Sequence, residues 1–308
     1  MKTLSHLLIL VTLIMVPTNK GAVAMDDSRN TPLPAIGLAL GSGGAGGLAH
    51  IAMLRVFDDL GVKPAGIAGT SIGAVIGALY AAGLSAAEIE EIFTEFGGSS
   101  LDVLSRLITP NAELTLTALL KIGNDGGAFD PGGFLEFLAD KVEARRFEDL
   151  AIPLKVVATD YWTGKTVVLD QGDLFSAVQA SMAVPGLFSP VQHDQQLLID
   201  GGTSNPLPFD LLLKSHDLVV AIDVSRSRTR PEDQQVDSLD LLLGSFTMMQ
   251  QSIIAARMEA TQPDIYIKPE IHDIRMLHFN RIEEVLEQAK PAASELKSRL
   301  LKYQKNEE

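Results

Sequence analysis

Three stretches of the chain hold residue types that can do chemistry together. The first is Gly69-Thr70-Ser71-Ile72-Gly73, which follows the short apolar run 65–68 and leads into an uncharged, Ala-rich segment that stops at Gly83. The pattern predicts strand, tight turn and helix, with G-x-S-x-G in the turn. In such an elbow the serine oxygen stands clear of the sheet, and the helix N-terminus behind it favours developing negative charge. The motif alone is weak, because Gly- and Ala-rich chains make ordinary turns of the same composition. The second stretch is Gly41-Ser42-Gly43-Gly44-Ala45-Gly46-Gly47, placed between an apolar run at 36–40 and a helical pattern through Leu48, Ile51, Val56 and Leu60. A run of glycines at a helix start exposes successive backbone N–H groups, which suits them to hold an oxyanion. The third is Asp200-Gly201-Gly202 after the apolar run Leu197-Leu198-Ile199. A carboxylate there is expected at the same sheet edge as Ser71, where it can accept the serine proton.

Two competing readings of these residues are open to test. Gly41-x-Gly43-x-x-Gly46 also satisfies the G-x-G-x-x-G of a dinucleotide cradle, which requires an acid at the end of the second strand. Here that strand ends in the serine elbow, Asp58 and Asp59 fall inside the preceding helix, and no Walker lysine is present, so no nucleotide is expected. A histidine triad would draw on His193, His216, His272 or His278, with His272 and His278 flanking a loop candidate. His50, on the helix after the glycine loop, reads as a packing residue. A Ser–Asp dyad asks more of its surroundings than a triad, since an ordinary carboxylate is a weak base for a hydroxyl. Partial desolvation and a short hydrogen bond must make up the difference.

The elements that position these residues form a βαβα beginning, which predicts an α/β fold with a mainly parallel sheet. Ser85-x-x-Glu88 reads as a capping box for a helix to Phe96, and 101–108 and 114–122 as apolar pieces of a cap over the sheet end. Helix is expected over 132–141 and 175–182, the latter broken by Val184-Pro185-Gly186. Strands are expected at 153–160, 165–169, 196–199, 218–223 and 264–268. A charged linker at 226–235 precedes a long helix over 239–260. A terminal helix over 280–303, capped by Asn280-x-x-Glu283, is interrupted near Pro291.

Residues 1–24 are of another kind. Lys2 supplies a positive start, 7–16 is almost unbroken aliphatic, and Ala22-Val23-Ala24 fits a small-x-small cleavage site. This predicts a signal peptide, with an uncleaved anchor as the rival, and hence a periplasmic or secreted protein. With no cysteine in 308 residues, disulfides and a lipidated N-terminal cysteine are excluded. Removal of the leader takes Lys2 and Lys20 with no acid, moving the net charge from −14 to about −16. That balance argues against nucleic acid and against electrostatic capture by anionic lipid.

Taken in order, the three stretches resemble the patatin-like phospholipase family, and two further blocks fit: Ala158-Thr159-Asp160 with Thr163-Gly164-Lys165, and residues 180–188. The likeness runs from about Ile36 to Leu213. It implies a three-layer α/β/α core at 36–213 behind a tail at 25–35. The rest, 214–308, is expected to supply a last core strand and a C-terminal helical extension. It further implies Ser71 as nucleophile and Asp200 as general base. Gly43, Gly44 and Ala45 are the implied oxyanion donors, with Gly41, Gly46, Gly69, Gly73, Gly201 and Gly202 as motif glycines. The implied substrate is a lipid or other acyl ester, hydrolysed without metal or cofactor, with peripheral membrane contact through the cap. The family carries Arg or Lys where this chain has Gly46, which makes uncharged esters more credible substrates. Two alternatives accompany this reading: a carboxylesterase or thioesterase acting on small esters, and an exported lipid-binding protein with a weak site.

Overall fold

The computed structural model describes residues 34–97, 131–225 and 238–305. The leader, most of the tail, the apolar cap pieces at 101–108 and 114–122, and the linker at 226–235 lie outside the described residues. What is described belongs to one compact unit, Leu33–Glu308.

Eight strands form one sheet: β1 (Ile36–Leu40), β2 (Gly66–Thr70), β3 (Leu154–Asp160), β4 (Thr166–Leu169), β5 (Val191–His193), β6 (Gln196–Asp200), β7 (Leu218–Ile222) and β8 (Ile265–Ile267). Its centre is parallel, in the order β3-β2-β1-β7-β8. β4 and β6 both pair antiparallel with β3, and β5 pairs antiparallel with β6. The sheet is therefore mainly parallel, as the βαβα beginning predicts, with an antiparallel flank. β5 is an addition; three residues with a polar centre, Val-Gln-His, give no strand signal by themselves.

Alternate residues of the central strands feed two cores. Leu38, Leu40, Ile67, Val220 and Ile222 pack with α1 (Ala49–Leu60), α2 (Ile72–Ala81), α3 (Ala86–Gly97) and α7 (Ile282–Lys305). Ala39, Ala68, Val219 and Ala221 pack on the opposite face with Phe209, Leu212 and Ile254 of α6 (Ser238–Ala260). This is a three-layer α/β/α arrangement, completed by α4 (Gly132–Ala139) and α5 (Leu174–Ser181).

All ten residues of α2 are buried, which is why its composition is apolar all round rather than amphipathic. Local signals set several boundaries. Gly61, in the left-handed region (φ 65°), ends α1, as a glycine C-cap does. Ser85 and Glu88 form the expected capping box: Ser85 N–H donates to the Glu88 carboxylate (2.8 Å), and Glu88 N–H to Ser85 Oγ (3.3 Å). Asp173 caps α5 by accepting from Ser176 N–H at 2.7 Å.

Two expectations at the C-terminus are corrected. A short 3-10 turn, Phe279–Arg281, precedes α7, so Asn280 lies inside that turn and Arg281 pairs with Glu284 instead. α7 also runs unbroken through Pro291. Its packing along α1, through Val285, Ala289, Ala292, Leu296 and Leu300 in the shared core, offsets the one hydrogen bond that proline removes. No helix among the described residues is long and apolar enough to cross a membrane.

Candidate active site

The register of the sheet brings Ser71 and Asp200 together. β2 pairs with the lower part of β3, ending at Thr70 opposite Val157. β6 pairs antiparallel with the upper part, ending at Asp200 opposite Ala158. β4 pairs with β3 from Val156 to Thr159. Because β4 overlaps both partners and a strand has only two edges, β2 and β6 must share the other edge. They run toward each other and meet end to end at consecutive positions of β3. The serine follows the last residue of one, and the aspartate is the last residue of the other.

Ser71 stands at the junction in a conformation that few side-chain-bearing residues adopt, φ 56° and ψ −123°. Such a backbone costs about 1–3 kcal/mol and persists only where its surroundings hold it. Three contacts hold it here. Its carbonyl accepts from Ala74 and Val75 N–H, starting α2. Its N–H donates to Ser181 Oγ at 2.8 Å, and the Ser181 hydroxyl donates in turn to Val157 O at 2.6 Å. Beneath the elbow a Cβ on Gly73 would sit 2.2 Å from Leu40 O, so only glycine lets α2 come this close to β1.

Asp200 is fully buried. Its N–H donates to Ala183 O (2.9 Å), and its Oδ1 accepts from Gly202 N–H at 2.6 Å. Oδ2 has no hydrogen bond of ordinary geometry. Burial pushes the carboxyl up to about 7, against the opposing pull of the Ser71 hydroxyl and the Gly202 N–H. The serine is thus close enough to act on the carboxyl while the contact stays looser than a formed hydrogen bond. Contacts of that kind tighten in a Michaelis complex. Desolvation has turned an ordinary carboxylic acid into a group matched to taking up a proton near neutral pH.

The glycine loop lies over the end of β1. Gly41 N–H donates to Ile222 O and Ser42 N–H to Pro206 O. Gly44 has φ 57°, and a Cβ there would meet Met276 O at 2.6 Å. Ala45, expected as a third donor, gives its N–H to Met276 O at 2.8 Å and is spent. That leaves the amides of Gly43 and Gly44, neither of which is engaged in a backbone hydrogen bond of this kind among the described residues. Gly46 and Gly47 are buried in the 3-10 turn Gly44–Leu48 that follows, while Gly69 lies in β2. Gly201 and Gly202 open the turn after Asp200.

His50 is the buried packing residue expected. Its Nε2–H donates to Gly41 O at 2.8 Å, and burial pushes the imidazole down to about 4, so it holds the loop as a neutral ring. His216 packs against Gly37 and Gly66, at the starts of β1 and β2 and hence at the edge opposite Ser71. Among the described residues no histidine acts on the Asp200 carboxyl; the Ser71 hydroxyl and the Gly202 N–H do. Among the described residues no group of three or more His, Asp or Glu is placed to hold a metal ion.

Two side chains at the site have no local sequence signal for their roles. Ser181 pins the elbow from 110 positions away. Gln250, buried on α6, accepts from Ser42 Oγ at 3.0 Å. Its Nε2 lies where a Cβ on Gly202 would be, 2.1 Å from that point. One amide therefore touches both the glycine loop and the turn after Asp200. The signal that could have found Ser181 is its place in the block 180–188; Gln250 has none.

Comparison with known proteins gives a consistent result. The patatin-like phospholipase family model matches residues 38–213. An uncharacterized NTE family protein of Mycobacterium tuberculosis is 34% identical over 204 residues, 66% of this chain and 52% of that one. Patatin-like phospholipase domain-containing protein 6 of Homo sapiens is 35% identical over 192 residues, 61% of this chain and 13% of its own length. Among solved structures, VipD from Legionella pneumophila superposes with a TM-score of 0.44 at 16% identity, covering 84% of this chain and 66% of that chain. The chain spans about half the length of the first curated relatives it matches.

Proposed function

The chain belongs to the patatin-like phospholipase family, and from that membership we propose that it is a serine hydrolase of lipid carboxylesters working through a Ser71–Asp200 dyad. The observation that carries the reading is the junction of β2 and β6. A strained serine there faces a buried carboxyl with one oxygen uncommitted and a pKa pushed up to about 7.

In the reaction, Asp200 Oδ2 takes the Ser71 proton as the serine oxygen attacks the acyl carbonyl. The amides of Gly43 and Gly44 receive the oxyanion, each such donor contributing on the order of 3 kcal/mol to the barrier. Collapse of the tetrahedral intermediate expels the alcohol, which leaves with the proton held by Asp200. Water, deprotonated by the same carboxylate, then attacks the acyl-enzyme. The fatty acid departs and Ser71 regains its proton.

Gly46 supports a preference for esters with uncharged surroundings, since the family's cation at that place is missing. The leader-like residues 1–24 support export, with the mature chain starting at Met25 in the periplasm or outside the cell. The decisive experiment is covalent labelling of the purified chain by a fluorophosphonate. Turnover of a phosphatidylcholine, its lysolipid, a diacylglycerol and a short p-nitrophenyl ester is measured alongside. Labelling at Ser71 with acyl-lipid turnover is expected. Lipid binding with no labelling would leave the chain a carrier, and turnover of the short ester alone would make it a general esterase. N-terminal sequencing of the exported product checks the leader.

A further inference from the structure

The turn between β3 and β4 carries a feature that neither the catalytic chemistry nor packing requires. β3 continues beyond the end of β2, and its chain reverses through Tyr161, Trp162, Thr163 and Gly164. Tyr161 is 54% exposed and Trp162 75% exposed, and the two rings meet edge to face with centroids 4.9 Å apart. An exposed tryptophan of this degree forfeits most of the stabilisation its burial would give.

The turn is built rather than loose. Asp160 Oδ1 accepts from Trp162 N–H at 3.0 Å, and Oδ2 accepts from the Thr163 hydroxyl at 2.9 Å. Tyr161 N–H donates to Leu197 O at 2.8 Å, and Gly164 N–H donates to Asp160 O at 2.8 Å with the glycine at φ 67°. Asp160, the turn's one carboxylate, is thereby consumed by its own backbone and by Thr163. Lys165, one residue past the turn, is exposed, as is Asp194 in the neighbouring β5–β6 turn. Two amphipathic aromatics and a lysine on a fixed tip match the side chains that settle at a membrane–water boundary.

Position supplies the second argument. Asp200 pairs with Ala158, and Tyr161, the first residue past the end of β3, lies three positions further on. At a strand rise of about 3.3 Å, the Tyr161 backbone stands roughly 10 Å beyond the level of Asp200. The tip is therefore at the same end of the sheet as Ser71. We propose that the Tyr161–Trp162 tip seats this chain on the surface of an uncharged or zwitterionic lipid assembly. Ser71 then lies about one ester-to-headgroup distance from the interface, on the order of 10 Å. The net charge of −14 selects zwitterionic over anionic lipid, because like charges repel at such a surface. This rests on the lipid-ester reading, and it names residues other than those expected to form a cap.

Trp162 is the chain's only tryptophan, so its emission reports on this tip and on no other part of the protein. The full chain is titrated with phosphatidylcholine vesicles, with and without brominated acyl chains, and with vesicles enriched in phosphatidylglycerol. The expected result is a blue shift on phosphatidylcholine, quenching by the brominated chains, and no gain in affinity from phosphatidylglycerol. Tyr161→Ala, which keeps the reporter, is expected to weaken vesicle binding about tenfold. Trp162→Ala, followed by vesicle flotation, is expected to lose binding similarly while p-nitrophenyl ester turnover stays at the parent level. Emission unmoved by saturating phosphatidylcholine, or flotation of Trp162→Ala equal to the parent, overturns the proposal and leaves the tip as a contact for protein. Because fluorescence reads binding without turnover, a parent chain that binds vesicles but hydrolyses nothing would refute the proposed reaction and not this surface.

Discussion

Two aspartates in this molecule begin from nearly the same sequence and end in opposite conditions. Asp200 follows Leu-Leu-Ile at the end of β6, and Asp223 follows Val-Ala-Ile just past the end of β7. Both are buried, at 0% and 1% exposure. Asp223 is fully provided for: Ser225 N–H donates to Oδ1 at 2.8 Å, Tyr266 OH donates to Oδ2 at 2.6 Å, and Lys268 Nζ lies 3.2 Å from Oδ2. Asp200 has one backbone donor, a nearby serine hydroxyl and an oxygen left over. A buried carboxylate with its lone pairs satisfied is part of the framework, whereas one held short of partners is a base in waiting.

The largest effect expected from that contrast is on turnover. Asp200→Asn removes the proton acceptor and should lower kcat by about 10³–10⁴-fold, with the elbow intact because Ser181 and α2 hold it. Asp223→Asn should leave kcat within about an order of magnitude, as it touches no reacting atom. Steady-state kinetics on a soluble ester separates them, and equal losses in the two variants would abolish the distinction drawn here. In the parent, kcat/KM should rise with pH through about 7 as Asp200 loses its proton.

Stability should move the other way. Burial pushes the native Asp200 carboxyl up to about 7 from its ordinary 3.8, so below pH 4 both states hold the proton and the residue costs nothing. As pH rises from 4 to 7 the unfolded chain ionises first, and stability falls until the native group ionises too. The accumulated loss is at most about 4 kcal/mol. Asp200→Asn should therefore raise Tm at pH 8 and leave it unchanged near pH 3.5. Asp223→Asn should instead cost about 2–3 kcal/mol at neutral pH, because the amide NH2 replaces one of the two oxygens that accept from Ser225 N–H and the Tyr266 hydroxyl and leaves a buried donor unmatched. Thermal melts of both variants at two pH values test the pair.

How far this was legible beforehand follows the range of the forces involved. The elbow and the glycine loop could be read because their demands are local: positive φ at Gly44 and close approach at Gly73. Asp200 could be named from its motif, but the reason it reaches Ser71 could not. The sequence predicts a strand-end carboxylate at the same sheet edge as Ser71; the cause is an antiparallel strand meeting β2 head-on along β3. Nor does the pattern of Ile-Asp after an apolar run separate Asp200 from Asp223, whose side-chain partners Tyr266 and Lys268 come from β8 and the residue after it, more than forty positions away. The capture of Ala45 N–H by Met276 O is equally non-local.

A smaller effect tests whether distant residues support only the Asp200 side. Gln250 reaches both Ser42 and the Gly202 turn. Gln250→Met keeps volume and removes the amide, so kcat should fall about 10–100-fold with KM unmoved. A proportional rise in KM with constant kcat would show that Gln250 serves substrate binding instead.

The smallest effect lies at Lys268. Its side chain is one-third exposed, so solvent already screens its attraction to Asp223, and the Tyr266 hydroxyl and Ser225 N–H remain if it is removed. Lys268→Met should cost about 1 kcal/mol or less, diminishing as salt rises, with turnover unchanged. A loss as large as that of Asp223→Asn would mean that the cation, rather than the two neutral donors, is what allows a carboxylate to be buried there. The contrast with Asp200 would then be one of charge pairing and not of hydrogen-bond supply.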